Sequence, residues 1–85
     1  HGERRKILSP YQLEVTKCEE RVNKILTIKE KIDEALANPD IYTNSDPEKF
    51  ESLSKKRAEV DDAIIKAEAL WLTAEENLDK ARSLL

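Results

Sequence analysis

Apolar residues in the first half of the chain recur at alternating spacings of three and four, the pattern of a helix that buries one stripe. When the heptad abcdefg is counted from Val15 as a, apolar side chains fill every a and d position except one. These positions are Val15, Val22, Lys29 and Leu36 at a, and Tyr11, Cys18, Ile25 and Ile32 at d. Such a heptad predicts a helix that packs against another helix as a coiled coil.

The second half of the chain repeats the heptad from Phe50 as a, again with one charged exception. Its positions are Phe50, Arg57, Ile64, Trp71, Leu78 and Leu85 at a, and Leu53, Val60, Ala67, Ala74 and Ala81 at d. Alanine at successive d positions lets two helix backbones approach closely. The pattern therefore predicts a second helix that shares a narrow seam with the first.

The first helix is predicted to begin near Pro10. Ser9 is a favoured N-cap residue, and proline is tolerated at the first helical position because its missing N–H would be unpaired there. We therefore assign residues 1–9 to a linker or entry segment and helix one to about residues 10–38.

The stretch ANPDIYTNSDPEKF interrupts the heptads between the two helices. Pro39 disfavours helical geometry in the residue before it, so helix one is predicted to end there. Asp46 followed by Pro47 is a helix-start signal, which predicts helix two over about residues 47–84. The residues between them, about 39–46, form a tip loop of the length that joins helices in bundles.

Two heptad helices joined by so short a loop must fold back on each other. The predicted fold is all-α, a two-helix antiparallel coiled-coil hairpin that is monomeric and on the order of 40 Å long. Its register stays open by about one heptad, so Trp71 lies level with either Cys18 or Tyr11. Lys29 and Arg57 either fix the register while their charges reach water, or contact a partner.

Composition agrees with long solvated helices, since charged residues make up 39% of the chain and aromatic residues 5%. No apolar run approaches the ~20 residues that cross a bilayer, and no secretory signal pattern opens the chain. A single cysteine excludes an internal disulfide, so we expect a cytoplasmic domain without membrane contact. The chain contains no Met and opens on His1-Gly2, so we expect a piece of a longer protein.

The sequence offers no constellation of catalytic residues. His1 is the single histidine and is terminal, Cys18 takes a core position, and Gly2 is the single glycine, which leaves no Gly-rich phosphate loop. We expect no enzymatic activity, no cofactor and no metal site in this chain.

A net charge of −3 does not predict nucleic-acid binding, but charge is divided between two sides of the predicted hairpin. An antiparallel pair sets g beside g and e beside e. The basic flank comprises the c and g bases Lys17, Arg21, Lys24 and Lys31 of helix one with Lys49 and Lys56 of helix two. The acidic flank comprises the e acids Glu19, Asp33, Asp61, Glu68 and Glu75.

Two functions are compatible with this arrangement. The basic flank, joined by Arg4, Arg5 and Lys6 of the entry segment, can follow the phosphate backbone of a nucleic acid. Ile28 and Leu70, also at g, make the same flank partly apolar, which favours docking onto a protein instead.

Several short motifs occur in order along the chain. They are Lys6-Ile7-Leu8-Ser9, Leu36-Ala37-Asn38-Pro39-Asp40-Ile41-Tyr42, Asp46-Pro47-Glu48, and Trp71-Leu72 followed by Glu75, Glu76 and Leu78. Their order and spacing resemble the C-terminal domain of Uup-like ABC-F ATPases. In that family, patterns such as A-D-P-x-x-Y, D-P-E and R-W-x-x-L-E mark a two-helix coiled-coil hairpin.

The resemblance implies a parent protein with two tandem ATP-binding cassettes, no membrane domain, and work on the ribosome or on DNA. ATP and Mg would belong to the parent, because none of the ATPase motifs lies in this chain. The domain itself is then expected to bind DNA or RNA without catalysis. The competing expectation is a spacer or interaction hairpin that docks on the parent's own ATPase domains or on a partner protein.

Overall fold

The computed structural model describes residues 2–43 and 46–85, which form two long helices and one short helix. Helix α1 spans Gly2–Ala37, α2 spans Asp40–Thr43 and α3 spans Pro47–Ser83. The two long helices pack against each other along an elongated molecule of 63 × 17 × 13 Å. The predicted all-α helical hairpin is confirmed. The expected length of about 40 Å was too short, because the 36 residues of α1 and the 37 residues of α3 each span about 55 Å at 1.5 Å per residue.

The seam follows the heptads. Every buried residue in the described part of the chain takes an a or d position when the first repeat is extended upstream to Leu8. The predicted core residues that are buried are Cys18, Val22, Ile32, Ala67, Ala74, Leu78 and Ala81. Three of the four buried residues of α3 are alanines, so the helices meet over small side chains.

The predicted start of helix one is wrong. Helix α1 begins at Gly2, so the described residues of the proposed 1–9 entry segment are helical and Pro10 lies inside the helix. Leu8 explains the extension, because it packs with Leu78 and Ala81 at the open end of the hairpin. Burial of this leucine offsets the backbone hydrogen bond that proline cannot donate. His1 lies outside the described residues.

Some predicted core residues lie near the surface. Tyr11 and Phe50 are each 40% exposed, and Leu85 is 51% exposed at the end of the chain. In the observed register Phe50 lies at the level of the tip, beyond the last residue of α1, so α1 does not cover its ring. The Phe50 ring instead meets Tyr42 of α2, with the ring centroids 5.5 Å apart and the planes tilted by 55°.

The tip holds the chain reversal through local hydrogen bonds. Asn38 accepts from the backbone N–H of Asp40 at 3.0 Å, and the Tyr42 hydroxyl donates to the carbonyl of Leu36 at 2.7 Å. Asp46 caps α3 by accepting from the backbone N–H of Lys49 at 3.2 Å. The predicted helix stop and restart are confirmed, whereas α2 within the predicted 39–46 loop was not foreseen. Residues 44–45 lie outside the described residues.

A cluster of ion pairs joins the helices in the half of the hairpin nearer the tip. Arg57 donates hydrogen bonds to Asp33 of α1 and to Asp61 of α3, and Lys29 Nζ lies 3.8 Å from Asp61 Oδ1. The hydrogen bond to Asp33, reinforced by both carboxylate charges, raises the pKa of Arg57 above its ordinary value. Each charged seam residue thus pairs with a carboxylate of the opposite helix, Lys29 with Asp61 and Arg57 with Asp33. This pairing favours their interpretation as residues that fix the register.

These contacts also resolve the register. An antiparallel pair that brings Asp33 to Arg57 and Lys29 to Asp61 sets Trp71 level with Cys18, about one heptad away from Tyr11. Trp71 is partly buried there, and its indole N–H has no acceptor among the described residues.

Leu8→Ala tests the corrected start of α1. Leu8 is 6% exposed, so removing its side chain is expected to lower the free energy of unfolding by about 2–3 kcal/mol. Leu13→Ala is the matched control, because Leu13 is 55% exposed and should change stability by less than about 0.5 kcal/mol. Urea unfolding followed by circular dichroism measures both. Equal, small effects would mean that the first turns of α1 do not pack on α3.

Trp71→Ala tests the seam. An indole at a core position is expected to contribute about 3 kcal/mol relative to alanine, measured by the same unfolding experiment. Melting temperatures at two protein concentrations provide the control for the monomeric state, because a dimer would melt at a concentration-dependent temperature. A cost near zero would place Trp71 outside the seam.

Candidate nucleic-acid interface

The basic flank is helical and exposed throughout. Lys17, Arg21, Lys24 and Lys31 lie on α1, and Lys49 and Lys56 lie on α3. In the part of the chain that the structure describes, none of these six bases forms an ion pair with a carboxylate. Their charges therefore face solvent and are available to an anionic ligand.

The densest part of the basic flank lies near the middle of α1. Lys17, Arg21 and Lys24 are spaced by four and three residues, so consecutive turns bring them to one side of the helix. Together with Glu20 they border a shallow surface depression. Three bases around one depression provide several N–H donors for the oxygens of a phosphate group.

The other bases extend the flank towards the tip. Lys31 lies two turns beyond Lys24 on the same face of α1. In the observed register Lys56 lies close to the level of Asp33, and Lys49 lies nearer the tip. The basic flank from Lys17 to the level of Lys49 is about 35 Å long at 1.5 Å per residue.

The acidic flank lies on the other side of the hairpin. Asp33 and Asp61 are engaged with the two charged seam residues, as described above. Glu19, Glu68 and Glu75 are exposed and form no ion pair among the described residues. The hairpin therefore carries opposite charge on its two long sides, which the net charge of −3 conceals.

Arg4, Arg5 and Lys6 do not join the basic flank in the way that the sequence suggested. They lie in the first turns of α1 rather than in a linker. Consecutive helical residues point about 100° apart, and in the extended heptad these three take d, e and f rather than c and g. The structure therefore separates them from the depression that Lys17, Arg21 and Lys24 border.

Apolar side chains are interspersed along the basic flank. Ile28 is 50% exposed and Leu70 is 52% exposed, as their g positions predict. Ile7 and Leu84 lie at g positions near the open end and are also exposed. Sequence reasoning missed Ile7 because it began helix one at Pro10, and it overlooked Leu84 although the heptad of helix two included it. Extending the repeat through Leu8 would have found Ile7.

Two further lysines of α3 were also overlooked. Lys66 and Lys80 are exposed and take c positions, which adjoin g on the helix surface. The sequence analysis included bases at c for helix one but not for helix two. Including the c position of helix two would have found both lysines.

The described residues hold no group of three or more His, Cys, Asp or Glu side chains arranged to bind a metal ion. Cys18 is buried, with its Sγ 3.9 Å from an Oε1 of Glu14. Within the described ranges, no helix is both long enough and apolar enough to cross a membrane.

The division of charge is thus the chemical feature from which function can be argued. No family model, curated protein or solved structure matches this chain in comparisons with known proteins.

Proposed function

We propose that this chain is the non-catalytic C-terminal accessory domain of an ABC-F ATPase and that it binds DNA or ribosomal RNA through the basic flank without reading sequence. The observation that carries this proposal is the exposure of six bases on one side of the hairpin, three of them around one depression, none of which forms an ion pair among the described residues. Contacts of lysine and arginine with phosphates are independent of base sequence.

The shape of the flank fits a backbone contact. The bases are spread over about 35 Å along the hairpin, and duplex DNA carries one charge per about 1.7 Å of its axis. A pair of packed helices with a cross-section of 17 × 13 Å is wider than a groove that admits one helix. The flank is therefore suited to lie along the phosphates rather than to enter a groove.

The acidic flank gives the contact an orientation. Its exposed carboxylates repel phosphates, so the hairpin approaches a nucleic acid with one side only. Net charge is a poor guide to binding in such a molecule, because the ligand meets the local field of one flank.

The parent protein in this proposal is inferred from the resemblance to Uup-like ABC-F ATPases. Its motif residues have structural roles that suit a hairpin tip, because Tyr42 bonds back to Leu36 and Asp46 caps α3. The parent's cassettes would bind ATP and Mg, and the whole protein would work in the cytoplasm on the ribosome or on DNA.

The second candidate function is a spacer or interaction hairpin that docks on the parent's ATPase domains or on a partner protein. The half-exposed Ile28 and Leu70 on the basic flank favour it. Salt distinguishes the two candidates. Nucleic-acid binding releases counterions and weakens steeply as salt rises, whereas apolar docking hardly responds.

Replacing Lys17, Arg21 and Lys24 together by glutamine tests the proposal. The helix content should stay the same, because none of the three is at an a or d position. Affinity for duplex DNA or structured RNA should fall, and the slope of log affinity against log salt should decrease by about one unit per lost phosphate contact. Fluorescence anisotropy at several salt concentrations measures both quantities.

The matched control is the replacement of Arg4, Arg5 and Lys6 by glutamine, which removes the same charge from other positions of the same helix. Its affinity should fall much less than that of the first variant. If the first variant binds like the wild type and the control loses binding, the basic flank is not the interface. Absence of binding by the wild type at low salt would contradict the function itself.

A further inference from the structure

An apolar groove runs along the outer surface of α3 beside the acidic flank. It is lined by Ile65, Ala69, Trp71 and Leu72, with Glu68 and Glu75 at its edges. Ile65 is 67% exposed and Leu72 is 59% exposed, although both are large aliphatic side chains. Neither takes an a or d position, so the seam of the hairpin does not account for them.

The lining follows from helical spacing. Ile65 and Leu72 share the b position one heptad apart, and Ala69 lies between them at f. The alanine leaves a gap between the two larger side chains. Trp71 also lines the groove, beside Glu68 and Glu75, because the e positions lie between the a and b positions on the helix surface.

The negative charge of the glutamates at the edges of the groove favours a positively charged ligand. Glu68 and Glu75 form no ion pair in the described part of the chain, and Glu19 of α1 lies on the same flank close to the level of Trp71. An apolar ligand that carries positive charge beside its apolar residues would pair these carboxylates. An acidic ligand or a nucleic acid would be repelled.

We propose that this groove binds a basic amphipathic helix of a partner protein. The groove runs along α3, and Ile65 and Leu72 are about 10 Å apart along the axis, two turns of a helix. A partner helix with leucines at spacings of three, four and seven, flanked by lysine or arginine, matches both features. Such a helix would pack as a third helix against the outer surface of α3.

The groove and the basic flank lie on different sides of the hairpin, so one domain can bind a basic helix and a nucleic acid at the same time. The opposite charges of the two flanks direct the two ligands to different sides of the hairpin. A basic partner is repelled from the basic flank, and phosphates are repelled from the groove. Binding of a basic helix in the groove therefore does not require the chain to bind nucleic acid.

The test uses a synthetic peptide of about 20 residues, long enough to form helix, with leucines at the stated spacings, flanking lysines and no aromatic residue. Trp71 is the single tryptophan of the chain and lines the groove, so its fluorescence reports binding directly. The expected dissociation constant is on the order of 100 µM or lower. A second peptide with glutamates in place of lysines should bind at least about tenfold more weakly.

Substitutions locate the site. Ile65→Ser with Leu72→Ser should weaken binding of the basic peptide by about tenfold or more. Leu70→Ser is the matched control, because Leu70 is similarly exposed on α3 but lies on the other flank. Replacing Glu68 and Glu75 by lysine should reverse the preference, so that the acidic peptide binds better. Circular dichroism verifies that each variant remains helical.

Several results would overturn the proposal. These are no fluorescence change with the basic peptide at about 1 mM, equal binding of both peptides, and equal weakening by Leu70→Ser. Sedimentation that detects a dimer abolished by Ile65→Ser would make a second copy of the chain the occupant instead. A peptide that associates with the chain only in the presence of DNA would mean that the DNA, and not the groove, holds it.

Discussion

The register between α1 and α3 is the constraint on which the rest of the molecule depends. The a and d side chains supply the packing, but alanines along α3 are small and similar, so they specify the alignment of the two helices weakly. Arg57 and Lys29 add specific partners across the seam in Asp33 and Asp61. A shift of one heptad would separate these charges and leave them partly buried without partners.

Register in turn determines which surface charges share a side. Lys49 and Lys56 of α3 join the bases of α1 because the helices are antiparallel and the tip is short. The same alignment gathers Glu68 and Glu75 of α3 beside Glu19 of α1. A narrow seam over alanines leaves most of each helix exposed, so the functional surfaces are the two flanks rather than a cavity.

The sequence predicted the hairpin, the heptads and the helix boundaries at the tip, because periodicity, Pro39 and the Asp46-Pro47 cap are local signals. It failed at the start of α1, where Ser9-Pro10 has the form of a helix cap. A long-range contact overrode that signal, since Leu8 packs on residues about 70 positions away in sequence. The choice between Cys18 and Tyr11 opposite Trp71 also needed the structure, because both are compatible with the heptad.

The candidate site was predictable in part. The positions of Lys17, Arg21 and Lys24 follow from heptad arithmetic, and their exposure agrees with it. The expectation for Arg4, Arg5 and Lys6 depended on the wrong helix start. It placed them in a segment outside the helix that could reach the basic flank, whereas residues of α1 have fixed directions. The groove on α3 escaped sequence reasoning because Ile65 and Leu72 lie outside the a, d and g positions, and isolated exposed aliphatic residues are common on protein surfaces.

The central claim is that an antiparallel register assigns opposite charges, and so different ligands, to the two long sides of this hairpin. An amide chemical-shift titration of the isotopically labelled chain with a short duplex at low salt tests it most directly. Perturbations should be concentrated around Lys17, Arg21 and Lys24 and continue towards Lys56, with little change at Glu68 and Glu75. Perturbations centred on the acidic flank, or spread evenly around both helices, would contradict the account.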